Sequence, residues 1–103
     1  MIVAHPGNSI YTAAKSAVEI FTRVLCKELK GHNITVNCIE PGAIATEQWL
    51  EGKSEEFLRT VSGVSPLNRL GTTEDVANVV AFLVSPQAEW INGQIIRVNG
   101  GFA

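Results

Sequence analysis

The 103-residue chain has only two cysteines and two histidines, no basic stripe, no long apolar run and no glycine cluster preceding a helix. Each absence closes off a class of function. Cys26 and Cys38 fall in unlike contexts, a helix and a strand, with no ligand or redox spacing, so both read as reduced core thiols. His5, near the N-terminus, and His32, after a helix stop, have no ligand partner at useful spacing, and no metal is expected. The net charge of −2 is spread along the chain, which argues against a nucleic-acid partner. No apolar run is long enough to span a bilayer. Met1 to Gly7 carry no basic n-region and make a poor secretory signal, so a soluble cytoplasmic protein is expected. What remains, 46% hydrophobic and 17% charged residues, describes an ordinary globular chain with one modest core.

The pattern alternates helix and strand. Ser9 to Lys30 reads as a long helix, with Asn8 or Ser9 at its start and Gly31 at its end. Ile10, Ala14, Ala17, Val18, Phe21, Leu25 and Leu29 follow the helical period, and Ala13, Ile20 and Val24 widen that face. A helix apolar on two sides is expected to be buried on two sides, against a sheet and against a second helix or subunit. Ile34 to Ile39 is a β-branched run that reads as a strand, broken by Pro41-Gly42. Short helices are expected at 46–51 and 54–61, the second with a serine cap and two acids in its first turn. Thr72 with Asp75 three residues later forms a capping box for a further helix, with Pro86 beyond its end. Gln94 to Val98 is a second strand, stopped by Asn99-Gly100-Gly101. Strand, crossover and strand imply a parallel sheet. Two parallel strands alone cannot cover so apolar a helix, so more strands are expected upstream of Met1.

Tyr11 and Lys15 lie four residues apart and share one face of the first helix. A phenol in water titrates near pH ~10 and is a sluggish base near neutrality. A cation at about 4 Å in an effective dielectric near 20 supplies on the order of 4 kcal/mol towards the phenolate, about what proton transfer near pH 7 requires. This spacing is common on solvated helix faces. Here, however, the intervening Thr12-Ala13-Ala14 and the following Ser16-Ala17 are small and leave that face open to a cofactor.

Tyr11-Thr-Ala-Ala-Lys15-Ser-Ala-Val resembles the active-site helix of the short-chain dehydrogenase/reductase family. Ile34-Thr-Val-Asn37-Cys-Ile-Glu-Pro41-Gly42 is similar to that family's sixth strand and the loop after it. Asn68-Arg69-Leu70-Gly71 with Glu74-Asp75-Val76-Ala77 resembles its penultimate turn and helix, and Ile91-Asn92-Gly93-Gln94 with Val98-Asn99-Gly100-Gly101 its last strand and tail. The four motifs occur in the family's order and cover Gly7 to Phe102.

The resemblance implies the C-terminal part, residues 1–103, of a single α/β Rossmann-type domain with a doubly wound parallel sheet, represented here by two strands and their helices. The glycine-rich dinucleotide fingerprint and the serine that polarises the carbonyl would lie upstream. Ser9 is too close to Tyr11 to be that serine. The resemblance makes Tyr11 the general acid/base and Lys15 its electrostatic partner and a holder of the nicotinamide ribose. Pro41, Gly42, Ile44 and Thr46 would line an NADP(H) or NAD(H) cofactor, with NADP(H) slightly preferred. Thr46 reads equally well as a helix cap. Trp49 either shapes the substrate pocket or packs at the surface, Trp90 is expected to fill core beside the last strand, and Glu40 is expected to be a solvated loop acid. The implied activity interconverts a small-molecule carbonyl and an alcohol. The wording Glu40-Pro-Gly-Ala-Ile-Ala-Thr-Glu47 with Glu89-Trp-Ile-Asn-Gly93 resembles NADPH-dependent aldehyde reductases, and 3-oxoacyl carrier-protein reductases share much of it. A homo-oligomer, dimer or tetramer, is implied for the complete enzyme. The alternative is an inactive piece that keeps only the oligomerisation surfaces.

Overall fold

The computed structural model describes residues 6–102; His5 lies outside them. Helix α1 spans Ser9–Glu28, strand β1 Cys38–Pro41, helix α2 Glu47–Leu50, helix α3 Glu55–Val64, helix α4 Thr73–Leu83 and strand β2 Ile95–Val98, with one 3-10 turn at Pro86–Ala88 before β2. The two strands pair in parallel, with Cys38 beside Ile95, Ile39 beside Ile96, Glu40 beside Arg97 and Pro41 beside Val98. The α/β alternation and the parallel pairing are those expected from the sequence.

The local signals place the helix ends. Asn8 occupies the N-cap position of α1, where its carbonyl accepts from Thr12 N at 2.8 Å. At the other end Leu29 N donates to Leu25 O, and Gly31 takes a φ of +86°, which favours glycine. The hydroxyls of Thr46, Ser54 and Thr72 accept from Trp49 N, Phe57 N and Asp75 N and cap α2, α3 and α4. Thr72 also donates its own N–H to the Asp75 carboxylate, which completes the capping box.

Strand β1 is shorter than the β-branched run suggests and starts later. Val36 N donates to Asn92 Oδ1 at 2.8 Å, and Asn37 Nδ2 donates to Ile91 O at 2.8 Å. Asn37 Oδ1 accepts from Gln94 N at 3.1 Å, and Val36 O accepts from Gly93 N at 2.8 Å. Two asparagine side chains thus take the backbone partners that a longer ladder would have used. The strand begins only at Cys38.

Two further expectations are corrected. Glu40 is the third residue of β1 and is only 8% exposed, because the late start carries the strand through it to Pro41. Trp90 is 97% exposed; the buried apolar side chain in that segment is Ala88. Cys26 and Cys38 are both free thiols, half-buried rather than in a closed core.

Helix α1 packs on β1, yet Thr22 is its one buried residue, with Oγ1 donating to Val18 O at 2.9 Å. Ile10, Ile20, Phe21 and Val24 remain 47–85% exposed, so the expected burial on two sides is not reached among the described residues. The radius of gyration is 15.7 Å, against about 13 Å for a compact chain of this length. At roughly 25 cal/mol per Å², covering this apolar surface would release substantial free energy. Sedimentation of the isolated chain should therefore show mass increasing with concentration, whereas a monomer with a sharp, concentration-independent melt would contradict the exposed surface.

Candidate functional site

The direction of α1 relative to the sheet follows from two contacts. Near its C-terminal end, Cys26 Sγ lies 2.7 Å from where a Cβ on Gly93 would stand, beside the amino end of β2. Two turns earlier, the Glu19 carboxyl faces that of Glu40 near the carboxyl end of β1, where α1 contacts the strand. The helix therefore runs antiparallel to the strands. Eight residues before Glu19, roughly 12 Å along the axis, Tyr11 lies toward the carboxyl ends of the strands.

Tyr11 is 61% exposed in the first turn of α1. Lys15 Nζ stands over its ring, 5.4 Å from the centroid, within cation–π range. The pair that the sequence singles out is therefore brought together. Pro41 ends β1 and is exposed, while Gly42, Ile44 and Thr46 are half-buried in the loop that follows. Gly42 N donates to Val98 O at 3.0 Å and extends the pairing by one bond. A Cβ on Gly42 would meet Asn99 Cα and Cβ at 2.8 Å, so glycine is required here by the C-terminal turn. Ile44 forms an isolated parallel bridge with Gly71. Thr46 Oγ1 accepts from Trp49 N at 3.2 Å, which leaves its own O–H to donate elsewhere. Its capping role is thus observed, and its donor capacity is not used up by it.

A cavity of about 270 Å³ opens at this end of the sheet, lined among others by Gly42, Ile44, Ser65, Arg97, Asn99 and Phe102. Trp49, on α2, does not line it; it is half-buried, with its ring centroid 6.4 Å from that of Phe57 and Lys53 Nζ 4.5 Å from its own centroid. The Lys53 ammonium also donates to the Trp49 carbonyl.

Two ionic clusters flank the site. Burial works against ionisation of Glu40, yet its carboxyl lies below the usual carboxylate range; hydrogen bonding with Glu19 lowers it most, and the Arg97 guanidinium, 3.4 Å away, adds to the effect. Glu19 is pushed up in turn, first by its hydrogen bonding with Glu40 and then by burial. Cys38 is pushed up by burial and then by the nearby Glu40 charge, which keeps it a thiol. Arg69 grips Asp75 with two bonds of 2.6 and 3.0 Å. Those bonds and the Thr72 N–H hold the Asp75 carboxyl far below its ordinary value. Sequence reasoning gave no role to Glu19, Arg97 or Ser65. The opposed Glu40 and Arg97 are visible only once the strand register is known.

Among the described residues no group of three or more His, Cys, Asp or Glu side chains forms a metal site, and no helix is long and apolar enough to cross a membrane.

Parallel strands joined through helices, with the loop after β1 and the turn after β2 leaving at one end, define an α/β protein of the Rossmann type. The chain belongs to the short-chain dehydrogenase/reductase family: residues 1–103 match the family described as Enoyl-(Acyl carrier protein) reductase. It is 50% identical over 96 residues to a short-chain type dehydrogenase/reductase of Picea abies, covering 93% of this chain and 35% of that protein. It is 48% identical over 97 residues to an NADPH-dependent aldehyde reductase-like protein, chloroplastic, of Arabidopsis thaliana, covering 94% of this chain and 36% of that one. A solved short chain dehydrogenase family protein from Francisella tularensis matches at a TM-score of 0.88 and 28% identity, over 97% of this chain and 46% of that chain. The chain thus spans about a third of the length of these curated relatives.

The depressed Asp75 carboxyl fixes the sign of one pH effect. A carboxyl lowered by folding contributes stability that is present above its unfolded value, near ~3.9, and lost as pH falls toward its folded value. Acid unfolding followed by circular dichroism should therefore start at higher pH once Arg69 is replaced by Met. An unchanged acid limb would show that the Arg69–Asp75 contact does not persist in solution.

Proposed function

We propose that the chain forms the proton-transfer and nicotinamide-facing part of an NAD(P)(H)-dependent oxidoreductase that interconverts a carbonyl and an alcohol. The observation that carries this reading is Lys15 Nζ over the Tyr11 ring, at the strand end where the Pro41–Thr46 loop emerges. A bound nicotinamide supplies or takes the hydride. Tyr11 gives its hydroxyl proton to the carbonyl oxygen in reduction and takes it back in oxidation, and Lys15 compensates the phenolate charge left behind. Both side chains are solvated in the chain alone, where unit charges at about 4 Å gain only about 1 kcal/mol. Covering this face with cofactor and substrate excludes water and strengthens the pair several-fold.

The residues present fit a nicotinamide. The Thr46 O–H is free to donate to a carboxamide oxygen, and Pro41, Gly42 and Ile44 offer a largely apolar wall. The names of the Arabidopsis relatives, the one above and an NADPH-dependent aldehyde reductase 2, chloroplastic, 52% identical over 91 residues, support NADPH over NADH and an aldehyde as substrate. Those names also read chloroplastic; for this chain we propose a soluble setting, with the cytoplasm as first expectation. In this reading the dinucleotide fingerprint lies in residues preceding these 103, and the complete enzyme is a homo-oligomer.

A second reading is an inactive product that retains only association surfaces. The exposure of Ile10 at 85% and Phe21 at 61% favours it for the isolated chain. Fluorescence titration with NADPH separates the two when run on the complete polypeptide: saturable binding supports the first reading and its absence the second, while binding by the 103 residues alone would exclude the second outright. In the complete polypeptide carrying these residues, Tyr11→Phe should lower kcat by about 100-fold to 10,000-fold while leaving NADPH affinity nearly intact. A variant that retained its turnover would remove Tyr11 from the mechanism.

A further inference from the structure

The cavity at the carboxyl ends of the strands is bounded by a short segment, Ser65–Gly71, that touches the cofactor-facing loop from two directions. On one side the contact is direct. Gly71 N donates to Ala43 O at 2.9 Å, and Ala45 N donates to Gly71 O at 2.9 Å. A Cβ on Gly71 would stand 2.6 Å from Ile44 Cδ1, so any side chain there would have to push the Ile44 side chain aside. On the other side the contact runs through the C-terminal turn. Ser65, only 6% exposed, donates its hydroxyl to Gly100 O at 2.8 Å and accepts from Leu67 N at 3.2 Å. Gly100 sits against Ser65 so closely that a Cβ would meet Oγ at 2.8 Å. Within the turn, Gly101 N donates to Asn99 Oδ1 at 3.0 Å and Phe102 N to Asn99 O at 3.1 Å. The backbone of Asn99 then presses on Gly42, where a Cβ would lie 2.8 Å from its Cα.

We propose that Ser65 is a positioning residue for the loop Gly42–Thr46: its buried hydroxyl holds the Asn99–Gly101 turn, which sets the loop from one side, while Gly71 holds it from the other. Ser65 touches neither substrate nor cofactor in this account. The physical basis is over-determination. The loop has few bonds of its own, chiefly Thr46 N to Ile44 O at 2.8 Å, so its conformation is imposed by neighbours that close packing leaves no freedom to shift. A serine suits the task because one hydroxyl both donates and accepts, joining the tail to the start of the segment that also carries Gly71. The consequence for chemistry rests on the reading of Pro41–Thr46 as the nicotinamide wall, since small displacements of such a wall cost orientation.

The test is amide hydrogen exchange on the isotope-labelled chain, which needs no cofactor. In the parent, Gly42 and Ala45 amides should be protected. Ser65→Ala should speed their exchange about fivefold to tenfold, the equilibrium factor for losing one buried hydrogen bond, and leave Val84 in the cap of α4 within about twofold. Ser65→Thr, which keeps the hydroxyl, should restore protection. The proposal is overturned if Gly42 and Ala45 are unprotected in the parent, unchanged in Ser65→Ala, accelerated only together with Val84, or not restored by threonine. Adding NADPH to the complete polypeptide carrying these residues reads the cofactor assignment separately: a lack of any effect on these amides would sink that assignment while leaving the clamp intact.

Discussion

Everything at the candidate site depends on the parallel pairing of Cys38–Pro41 with Ile95–Val98. Because the strands run the same way, the loop after β1 and the turn after β2 leave the sheet side by side, and Gly42 continues the ladder to Val98. The pairing is fixed at its start by the reciprocal contacts of Asn37 and Asn92 with each other's backbone neighbourhoods, at 2.8 to 3.1 Å. It is reinforced near its end by Glu40 facing Arg97. A slip of one residue would separate that ion pair and turn Glu40 out of its contact with Glu19. A mostly buried carboxylate therefore acts as a register mark, bridging the sheet partner and the helix above it.

The same pairing explains why so apolar a chain has so little interior. Two strands offer only a narrow strip to α1, and the helix carries apolar residues around more of its circumference than that strip can cover. The faces left open are continuous with the end where Tyr11 stands. Its electrostatics are accordingly weak in water and strong only once the face is covered. Stability, and in the proposed reading proton transfer as well, then rest on one requirement, the exclusion of solvent from α1.

Much of the architecture was legible because it is encoded locally. The caps at Ser54 and Thr72, the stop at Gly31 and the pairing of Tyr11 with Lys15 at helical spacing each depend on residues a few positions apart. What was not legible depends on distant partners. The run Ile34–Asn37 has strand propensity, yet Asn92, far along the chain, intercepts its hydrogen bonds. Glu40 reads as a solvated acid until its neighbours on β2 and α1 are known. Trp90 reads as core because of its size, but the small Ala88 takes the buried position. Gly42 is needed where the sequence placed it, though its missing side chain makes room for Asn99. Ser65 carries no motif that would have drawn notice; a buried serine shows its value only through the glycine 35 residues away to which it bonds.

The central claim is that a nicotinamide ring docks against the loop beginning at Pro41, within reach of Tyr11. Amide chemical shifts of the complete, isotope-labelled polypeptide test it most directly, with NADPH compared against the same nucleotide lacking the nicotinamide. The account predicts that Gly42 to Thr46 shift with NADPH and return nearly to their free positions when the ring is removed. Equal shifts with both nucleotides, or shifts that bypass this loop, would contradict it.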